Sequence, residues 1–482
     1  MRRSHVVFVI AVIAALAMPA DGLAAGHGQR RPARPAQLRV RPARLVRPAR
    51  AVVRPRRALR PAAPRPRGRL LASPASAASA RLDLIRTARG EINTSTYIFG
   101  NDRVGRIMLA ELRARARDGL VVRLLVDGFG SGLSRAALAH LLDEGIEVAI
   151  YNPLTARALL RPLDLGYRLH DKLLITDAAQ MILGGRNVEE GYFGLSKPDY
   201  HHFDDVDAHV AGASAAEANA YYMDLWNGPT VKRLRREDLR VSPRKVARYA
   251  AEVDRAARIA GRASFADFQR SWRAEPSAEL RDVEFVHEDP RTLRNPGRRV
   301  QRRLIRFIDE AASEVEIHTP YLVPDPELLG AIARARERGV AVRLVTNSRA
   351  TARAHEHLTQ WAYESQVAEL ARAGAEVWEV KGPRGMHAKT IVVDRRRVYV
   401  GSTNLDPRSR DLQKEVGVVA DAPGLAVRLL RHGLTLRDGG LLAARGGQVT
   451  PAKKAQCGRA CRTFARWVFR PLSRAVGLWQ QL

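Results

Sequence analysis

The sequence predicts an α/β fold that is built twice, as two pseudo-symmetric α/β lobes that share one active site. Helical and strand-like hydrophobic patterns alternate along most of the chain after residue 80, which is typical of a sheet covered by helices. The same order of elements returns after residue 300. In addition, the most polar segments of the two halves match at a constant spacing of 217 positions. We therefore expect an internal duplication.

The predicted elements alternate between helix and strand in each half. In the first half they span 80–89, 91–99, 103–118, 120–126, 134–144 and 147–151. In the second half they span 302–313, 315–321, 326–338, 340–346, 360–373 and 376–380. From these patterns we predict a first lobe over 76–235, a helical connector over 236–285, a second lobe over 286–440 and a basic, aromatic tail over 441–482.

Residues 1–25 are predicted to be a signal peptide. Arg2 and Arg3 precede an apolar run from Val6 to Met18, which suits the core of a secretory signal and is short for a membrane span. Small residues follow, with a candidate cleavage site after Ala24. An uncleaved N-terminal anchor is the alternative. Either interpretation predicts an exported protein, periplasmic or secreted, that is peripheral on the membrane.

Residues 26–75 are predicted to form a disordered, basic arm. Between His27 and Leu70 the chain has 15 arginines, 8 prolines and no acidic residue, so like charges repel and no packed core can form. The arm supplies about half of the net charge of +31. We expect it either to bind an anionic membrane surface, an envelope polymer or nucleic acid, or to serve as a solvated spacer.

Composition excludes several classes of protein. The 482 residues include only two cysteines, which rules out a disulfide-stapled scaffold and a four-cysteine metal site. The only long apolar run is N-terminal, so a multi-spanning membrane protein is excluded as well. Cys457 and Cys461 are close enough in sequence for one local disulfide, or they are free thiols. The aromatic residues of the tail, such as Trp467, suit either an interfacial segment or packing against the body.

Two matching motifs contain the candidate catalytic residues. The first lies in YRLHDKLLITD and LGGRN, and its residues are His170, Lys172, Asp177, Gly184, Gly185 and Asn187. The second lies in GMHAKTIVVD and VGSTN, and its residues are His387, Lys389, Asp394, Gly401, Ser402 and Asn404. One such motif is a weak signal, whereas two with identical offsets are not plausibly chance.

The residue types of the motifs suit phosphodiester chemistry. A histidine and a lysine two positions apart on a strand point to the same face and can reach one ligand. Small residues at Gly185 and Ser402 allow a ligand to approach, and Asn187 and Asn404 can donate hydrogen bonds there. Two copies around a pseudo-two-fold axis would surround a phosphate with ammonium and amide groups.

In such a centre one neutral imidazole attacks phosphorus and the other serves as general acid and then as general base. The lysines and asparagines supply the charge stabilisation, so neither a metal nor another cofactor is required. The sequence alone leaves open which histidine is the nucleophile. A duplicated structural domain without catalysis is the alternative, and the paired motifs argue against it.

With these motifs the chain resembles the phospholipase D superfamily, from about residue 80 to 430. The segments GGRNVEEGYFG, FDDVDAHVAG and GSTNLDPRSRDLQKEVGVV are similar to its bacterial cardiolipin-synthase branch. The resemblance implies transfer of a phosphatidyl group to a second phospholipid. It also implies that His170 is the nucleophile, that His387 is the general acid, and that Glu415 supports a catalytic histidine. Asp205 or Asp207 would support the other.

The resemblance implies phospholipid substrates, with phosphatidylglycerol as the first candidate and phosphatidylethanolamine as the second. Hydrolysis to phosphatidic acid is the nearest alternative, because water can take the place of the acceptor. A secreted nuclease of the same superfamily is a further alternative. Such nucleases commonly have one motif per chain and dimerise, so we do not expect nucleic acid as the partner and we predict a monomeric active unit.

Overall fold

The computed structural model describes residues 66–155, 162–194, 202–260, 271–353 and 356–456. The predicted signal peptide, most of the basic arm, both cysteines and Trp467 lie outside these residues. All described residues belong to one compact unit, Arg65–Leu482. Within the described ranges, no helix has both the length and the hydropathy to cross a membrane.

The first lobe contains eleven of the described strands. They are β1 (Arg67–Leu71), β2 (Glu91–Thr96), β3 (Val121–Asp127), β4 (Glu147–Tyr151), β5 (Arg168–Leu169), β6 (Lys172–Thr176), β7 (Gln180–Gly184), β8 (Phe203–Asp204), β9 (Asp207–Ala211), β10 (Val231–Arg233) and β11 (Ala278–Glu279). The described helices of this lobe are α1 (Pro74–Thr87), α2 (Arg103–Arg117), α3 (Arg135–Asp143), α4 (Ala213–Trp226) and α5 (Pro243–Ala260).

The second lobe contains the other eleven described strands. They are β12 (Arg281–His287), β13 (Glu314–His318), β14 (Ala341–Thr346), β15 (Glu376–Glu379), β16 (Gly385–Met386), β17 (Thr390–Val393), β18 (Arg397–Gly401), β19 (Gln413–Lys414), β20 (Val416–Asp421), β21 (Leu441–Arg445) and β22 (Gln448–Val449). Its described helices are α6 (Arg299–Asp309), α7 (Pro326–Glu337), α8 (His357–Arg372), α9 (Pro407–Asp411), α10 (Pro423–Arg437) and α11 (Pro451–Gln456).

Each lobe is built on one nine-stranded mixed sheet, and the two sheets share a strand order. The first runs β10-β4-β3-β2-β6-β7-β9-β1-β11 and the second runs β12-β20-β18-β17-β13-β14-β15-β21-β22. Read in opposite directions, β4-β3-β2-β6-β7-β9-β1 corresponds to β15-β14-β13-β17-β18-β20-β12. Strands β2, β3 and β4 of the first sheet are parallel to one another, and so are β13, β14 and β15 of the second. The predicted duplication is therefore confirmed at the level of topology.

The described residues form three main hydrophobic cores, and the central one joins the lobes. It contains inner-face residues of both sheets, such as Leu183 and Val400, together with residues of helices α4 and α10. Each outer face is covered by its own helices, with Leu109 in the first outer core and Phe307 in the second. Because burial of apolar surface is the main stabilising term in folding, the two lobes fold against each other as layers of one body.

Polar side chains fix the starts of the outer helices as the sequence pattern requires. Ser73, Asp102, Ser134 and Asp325 each accept a hydrogen bond from the backbone N–H three residues further on. Such N-caps satisfy donors that the first helical turn leaves open. These caps account for the starts of α1, α2, α3 and α7, whereas α6 and α8 begin without a side-chain cap.

Three predicted domain boundaries differ from the structure. Strand β1 lies inside the predicted arm and pairs with β9, so the first lobe begins before residue 76. Strand β12 pairs with β20, so the second lobe begins within the predicted connector. Strand β21 pairs with β15, so the tail starts as part of the second sheet. Strand β12 is at an edge of its sheet, and β1 and β21 are each one strand from an edge. All three follow arginine-rich or loop sequence, where hydrophobic periodicity is weak.

Candidate active site

Two short parallel strand pairs cross between the lobes and deliver the motif histidines to one place. Strand β19 of the second lobe pairs with β5 of the first, and β8 of the first pairs with β16 of the second. Directly after these pairs, the His170 N–H donates to the Lys414 carbonyl at 2.9 Å and the His387 N–H donates to the Asp204 carbonyl at 2.6 Å. The backbone of each lobe thus positions the histidine of the other.

Each histidine is held by a carboxylate from the opposite lobe. The Nδ1 atom of His170 lies 2.9 Å from Oε1 and 3.0 Å from Oε2 of Glu415. The Nδ1 atom of His387 lies 2.7 Å from Oδ2 of Asp205. A carboxylate at Nδ1 orients the ring and leaves Nε2 as the nitrogen that can act on a substrate.

Sheet register shows that Asp205 and Glu415 are equivalent positions. Gly184 is paired with Asp207 in the first lobe, and Gly401 is paired with Gly417 in the second. Asp205 and Glu415 each stand two residues before those partners. The sequence left Asp205 and Asp207 as alternatives, and the structure brings only Asp205 to a motif histidine.

Asp207 has a different set of partners. Its carboxylate forms buried salt bridges with Arg81 at 3.0 Å and with Arg186 at 3.1 Å. The guanidinium of Arg186 also donates to the Leu71 carbonyl at 2.7 Å. Asp207 therefore ties β9 to helix α1 and β1, which is a structural role behind the site.

The small motif residues make room for these carboxylates. A Cβ atom at Gly185 would lie 2.2 Å from Oδ1 of Asp205, so only glycine fits there. At the matching position, the Ser402 hydroxyl donates to Glu415 and accepts from the Val416 N–H at 3.0 Å. Gly185 and Ser402, predicted to contact substrate, thus contact the carboxylates that hold the histidines.

The two lysines lie beside the histidines and are buried. The Lys172 ammonium donates to the His170 carbonyl at 2.7 Å. The Lys389 ammonium donates to the His387 carbonyl at 2.6 Å and lies 2.8 Å from Nδ1 and 3.0 Å from Nε2 of the ring. Burial, together with the charge of Lys389, lowers the pKa of Lys172 to about 7. Burial likewise lowers the pKa of Lys389 to about 8.

Burial and the lysines also act on the imidazoles. Burial, followed by the charges of Lys172 and Lys389, lowers the pKa of His170 well below its usual value. Burial, followed by Lys389, Lys172 and His170, does the same to His387. Each histidine therefore feels the lysines of both lobes, which is the electrostatic signature of one shared centre.

Burial affects the supporting carboxylates in the opposite direction. It raises the pKa of Glu415 well above its usual value, although the Lys172 ammonium opposes the shift. It raises the pKa of Asp205 to about 7, with Lys389 as the main opposing charge. An anionic ligand between the lysines would change these pKa values, because it would compensate the positive charges of Lys172 and Lys389.

The two asparagines differ in their contacts. The Asn187 Oδ1 accepts from the Ile98 N–H at 3.2 Å, and its Nδ2 donates to the Tyr192 hydroxyl at 3.0 Å. The Oδ1 atom of Asn404 is buried and has no hydrogen-bond partner within the described residues. Asn187 thus supports the loop around the site through both ends of its amide. Direct contact of either amide with substrate stays a prediction.

The structure does not bring the motif aspartates Asp177 and Asp394 to the centre. Each begins the hairpin turn at the far end of the strand from its histidine, at φ of 53° and 52°. That strand is about 16 Å long at the usual rise per residue. The Asp177 carboxylate accepts from the backbone N–H groups of residues 89–91, and that of Asp394 from residues 312–314. Their predicted catalytic role is therefore corrected to a structural one.

Aromatic rings line both histidines. The Tyr97 ring contacts His170 edge-on, with centroids 5.5 Å apart. On the other side, Tyr192 and Phe203 lie 5.1 Å and 5.3 Å from His387, and Tyr321 lies 6.4 Å away. These rings exclude water and strengthen the electrostatic interactions inside the site.

Sequence reasoning missed a second pair of equivalent residues, Asp127 and Asn347. Asp127 and Asn347 lie at the carboxyl ends of β3 and β14, which are equivalent strands of the two sheets. The side chain of each accepts a hydrogen bond from the backbone N–H of the residue before a motif histidine. The Leu169 N–H donates to Asp127 at 2.9 Å, and the Met386 N–H donates to Asn347 at 2.9 Å. Asp127 is the last residue of β3 and Asn347 directly follows β14. This position at the carboxyl end of a strand was the available signal, because polar residues there often serve a site.

Comparisons with known proteins agree with this geometry. A family model described as "Cardiolipin synthase, PLD-like domain" matches residues 82–200 and 304–432. Cardiolipin synthase C of Escherichia coli (strain K12) is 27% identical over 405 residues, which cover 74% of this chain and 81% of that protein. Cardiolipin synthase 1 of Bacillus anthracis is 27% identical over 354 residues, which cover 72% and 62%.

A solved structure shares the whole fold. The crystal structure of phosphatidylserine synthase from Haemophilus influenzae Rd KW20 superposes with a TM-score of 0.62 at 16% identity, covering 86% of this chain and 95% of that one. The family model matches both lobes and about half of the chain. The chain therefore belongs to the family of cardiolipin synthase, PLD-like domain proteins and is a phosphotransferase of the phospholipase D type.

Proposed function

We propose that this enzyme makes cardiolipin by moving a phosphatidyl group from one phosphatidylglycerol molecule to the glycerol hydroxyl of another. The observation that carries the proposal is the reciprocal pairing of His170 with Glu415 and of His387 with Asp205 across the lobes. It supplies two imidazoles with separate orienting groups, both close enough to Lys172 and Lys389 to feel their charges. The named activity of the relatives supports the choice of substrate.

In the first step, the neutral Nε2 of His170 attacks phosphorus and forms a P–N bond. The P–O bond to the leaving glycerol breaks, and His387 gives its Nε2 proton to the departing oxygen. Lys172 and Lys389 balance the charge on the non-bridging oxygens. Glu415 orients the His170 ring and stabilises the positive charge that develops on it.

In the second step, the hydroxyl of the acceptor glycerol attacks the phosphohistidine. The now neutral His387 removes the hydroxyl proton, the new P–O bond forms, and the P–N bond to His170 breaks. His387 ends the cycle protonated again, so protons and charges balance. Transfer to water in place of the acceptor would give phosphatidic acid by the same chemistry.

The electrostatics of the centre favour a change in the protonation of His387 when substrate binds. Burial and the lysine charges favour a neutral imidazole there. A phosphate diester bound between the lysines is an anion and offsets those charges, so its binding favours the protonated imidazole that the first step needs. His387 would thus become protonated, and able to act as general acid, only when substrate is bound.

We propose further that the chain is exported, that one chain is the active unit, and that it works as a peripheral protein on an anionic membrane. The apolar run from Val6 to Met18 and the arginines of the arm support this. The two motif histidines lie in one chain, which makes a second subunit unnecessary. Cell fractionation tests the export, and gel filtration tests the single-chain active unit. Binding to vesicles with and without anionic lipid tests the membrane association.

The reaction is tested with the full chain and vesicles of phosphatidylglycerol, with and without phosphatidylethanolamine, followed by mass spectrometry of the lipids. We expect cardiolipin and released glycerol. The His170→Ala variant should give neither. His357→Ala is the matched control, because it removes an exposed imidazole outside the site.

The products decide between the alternatives. Phosphatidic acid as the only product would identify a hydrolase and overturn the transferase. A product that appears only with phosphatidylethanolamine would change the donor. No lipid product at all would overturn the proposed function, and oligonucleotides would be the next substrates to test.

A further inference from the structure

A guanidinium lies next to the general-acid side of the centre without being part of either motif. Arg353 is in the loop after strand β14. Its guanidinium carbon is 4.1 Å from the centroid of the Phe203 ring, and that ring is 5.3 Å from the His387 ring. These two contacts keep the Arg353 charge within about 10 Å of His387. Its charge is also among the causes, after burial, Lys389, Lys172 and His170, that lower the pKa of His387.

Two nitrogen atoms of this guanidinium have no hydrogen-bond partner among the described residues. Both Nε and Nη2 of Arg353 are buried and unpaired. A buried cationic donor without an acceptor is unfavourable. The guanidinium is also the side chain whose planar set of donors best matches a phosphate. The arrangement is therefore suited to an anion that arrives with the ligand.

Arg353 breaks the pseudo-symmetry of the site. The corresponding loop of the first lobe, after strand β3, reads GFGSGL and has no arginine. Near His170 the comparable charge is Arg408, whose side chain shares a hydrogen bond with Tyr97 and lies near the Asp406 carboxylate. Among the described residues only its Nε is buried without a partner, against Nε and Nη2 of Arg353. A guanidinium with two buried, unpaired nitrogen atoms thus distinguishes the His387 side, where the proposed function places the leaving and the entering alcohol.

We propose that Arg353 binds the phosphate of the acceptor phospholipid, which does not react, and so selects an anionic phospholipid over water or a neutral alcohol. The inference rests on the proposed function. In a phosphatidylglycerol acceptor the free hydroxyl and the phosphate are at opposite ends of one glycerol, roughly 5–6 Å apart by standard bond lengths. A hydroxyl at His387 therefore leaves that phosphate within reach of Arg353. The reacting phosphate has its own cations, Lys172 and Lys389.

A competition between two acceptors tests this role. The full chain is incubated with phosphatidylglycerol vesicles in buffer containing ethanol, and the ratio of cardiolipin to phosphatidylethanol is measured by mass spectrometry. Arg353→Met should lower this ratio at least tenfold, and Arg353→Lys should lower it less. Arg384→Met is the matched control, since it removes an exposed arginine from a neighbouring loop and should leave the ratio unchanged. The ratio does not depend on how much of a variant folds.

The outcomes separate this inference from the proposed function. Wild-type transfer to both acceptors with an unchanged ratio in Arg353→Met would overturn the inference alone, and an equal fall in both products would assign Arg353 to the reacting phosphate. If the wild type transferred to neither acceptor, the proposed function would fail, and this inference with it.

Discussion

Glu415 of the second lobe contacts Nδ1 of His170 in the first lobe at 2.9 Å, so neither lobe contains a complete catalytic group by itself. The same is true of His387, whose partner is Asp205 of the first lobe. Each lobe supplies one histidine, together with the carboxylate that orients the histidine of the opposite lobe. This exchange explains why the duplicated halves must pack face to face for the site to exist.

The carboxylates should affect different steps. Glu415→Gln removes the charge that stabilises His170 during attack, and we expect it to slow formation of the phosphoenzyme by about 10–100-fold. Asp205→Asn should instead slow the steps that need proton transfer by His387, by a similar factor. Rapid-quench measurement of the phosphoenzyme and of its transfer distinguishes the two. If both variants slowed the same step equally, the separate roles of the histidines would be wrong.

A substrate with a good leaving group should separate the histidines. The 4-nitrophenyl ester of phosphatidic acid releases a phenolate that needs no proton. His387→Ala should therefore still release about one equivalent of nitrophenolate per enzyme in a burst, and then stop, because no base activates the acceptor. His170→Ala should show no burst, because no P–N bond can form. The burst is followed by absorbance.

The roles would be reversed if the opposite pattern appeared. A burst in His170→Ala and none in His387→Ala would make His387 the nucleophile. A burst in both would contradict a covalent histidine intermediate. The His357→Ala variant serves again as the control for loss of an imidazole.

The motif aspartates should matter for stability more than for chemistry. The Asp394 carboxylate accepts three backbone N–H bonds, which outweigh burial and lower its pKa below the usual value. A lowered pKa in the folded state stabilises the protein above the unfolded pKa of about 3.9, and that contribution is lost as the pH falls through the folded pKa. Asp394→Asn should therefore lower the free energy of unfolding at pH 7, by about 1 kcal/mol, because solvent screens this partly exposed carboxylate.

The difference between Asp394→Asn and the wild type should shrink toward pH 3, and urea denaturation across this range measures it. At temperatures where both are folded, kcat should change little. A variant of unchanged stability that lost all turnover would contradict the structural role. Asp177→Asn should also lower the free energy of unfolding, because the Asp177 carboxylate likewise accepts three backbone N–H bonds at the equivalent turn of the first lobe.

The sequence was sufficient for the elements with clear periodicity. Strand β4, for example, begins and ends at the predicted residues Glu147 and Tyr151. Strands β5, β8, β16 and β19 have two residues each, which is too short for any hydrophobic period to identify. They form only because the lobes meet. The contacts that orient the histidines therefore depend on tertiary packing that no local pattern contains.

The sequence predicted some residues of the candidate site and not others. The histidines and lysines were identified because their spacing repeats, and the repeat also suggested Asp177, although its carboxylate binds the backbone at the far end of the strand. Asp127 was missed, because its contact with the Leu169 N–H joins residues that are distant in sequence. A repeated motif identifies residues that both lobes require. Only the fold shows which of them lie at the catalytic centre and which hold the backbone.

The pH dependence should reflect the buried lysines. Burial lowers the pKa of Lys172 to about 7 and that of Lys389 to about 8, and both must be charged to bind a phosphate. As the pH rises through this range the free enzyme loses these charges, so kcat/KM should fall above pH 7–8. On the acid side the lowered pKa of His170 keeps the nucleophile neutral well below pH 6.5, so activity should persist there. Initial rates from pH 4.5 to 9.5 measure both limbs, and a kcat/KM that stayed constant up to pH 9.5 would show that the lysines do not supply the charge at phosphorus.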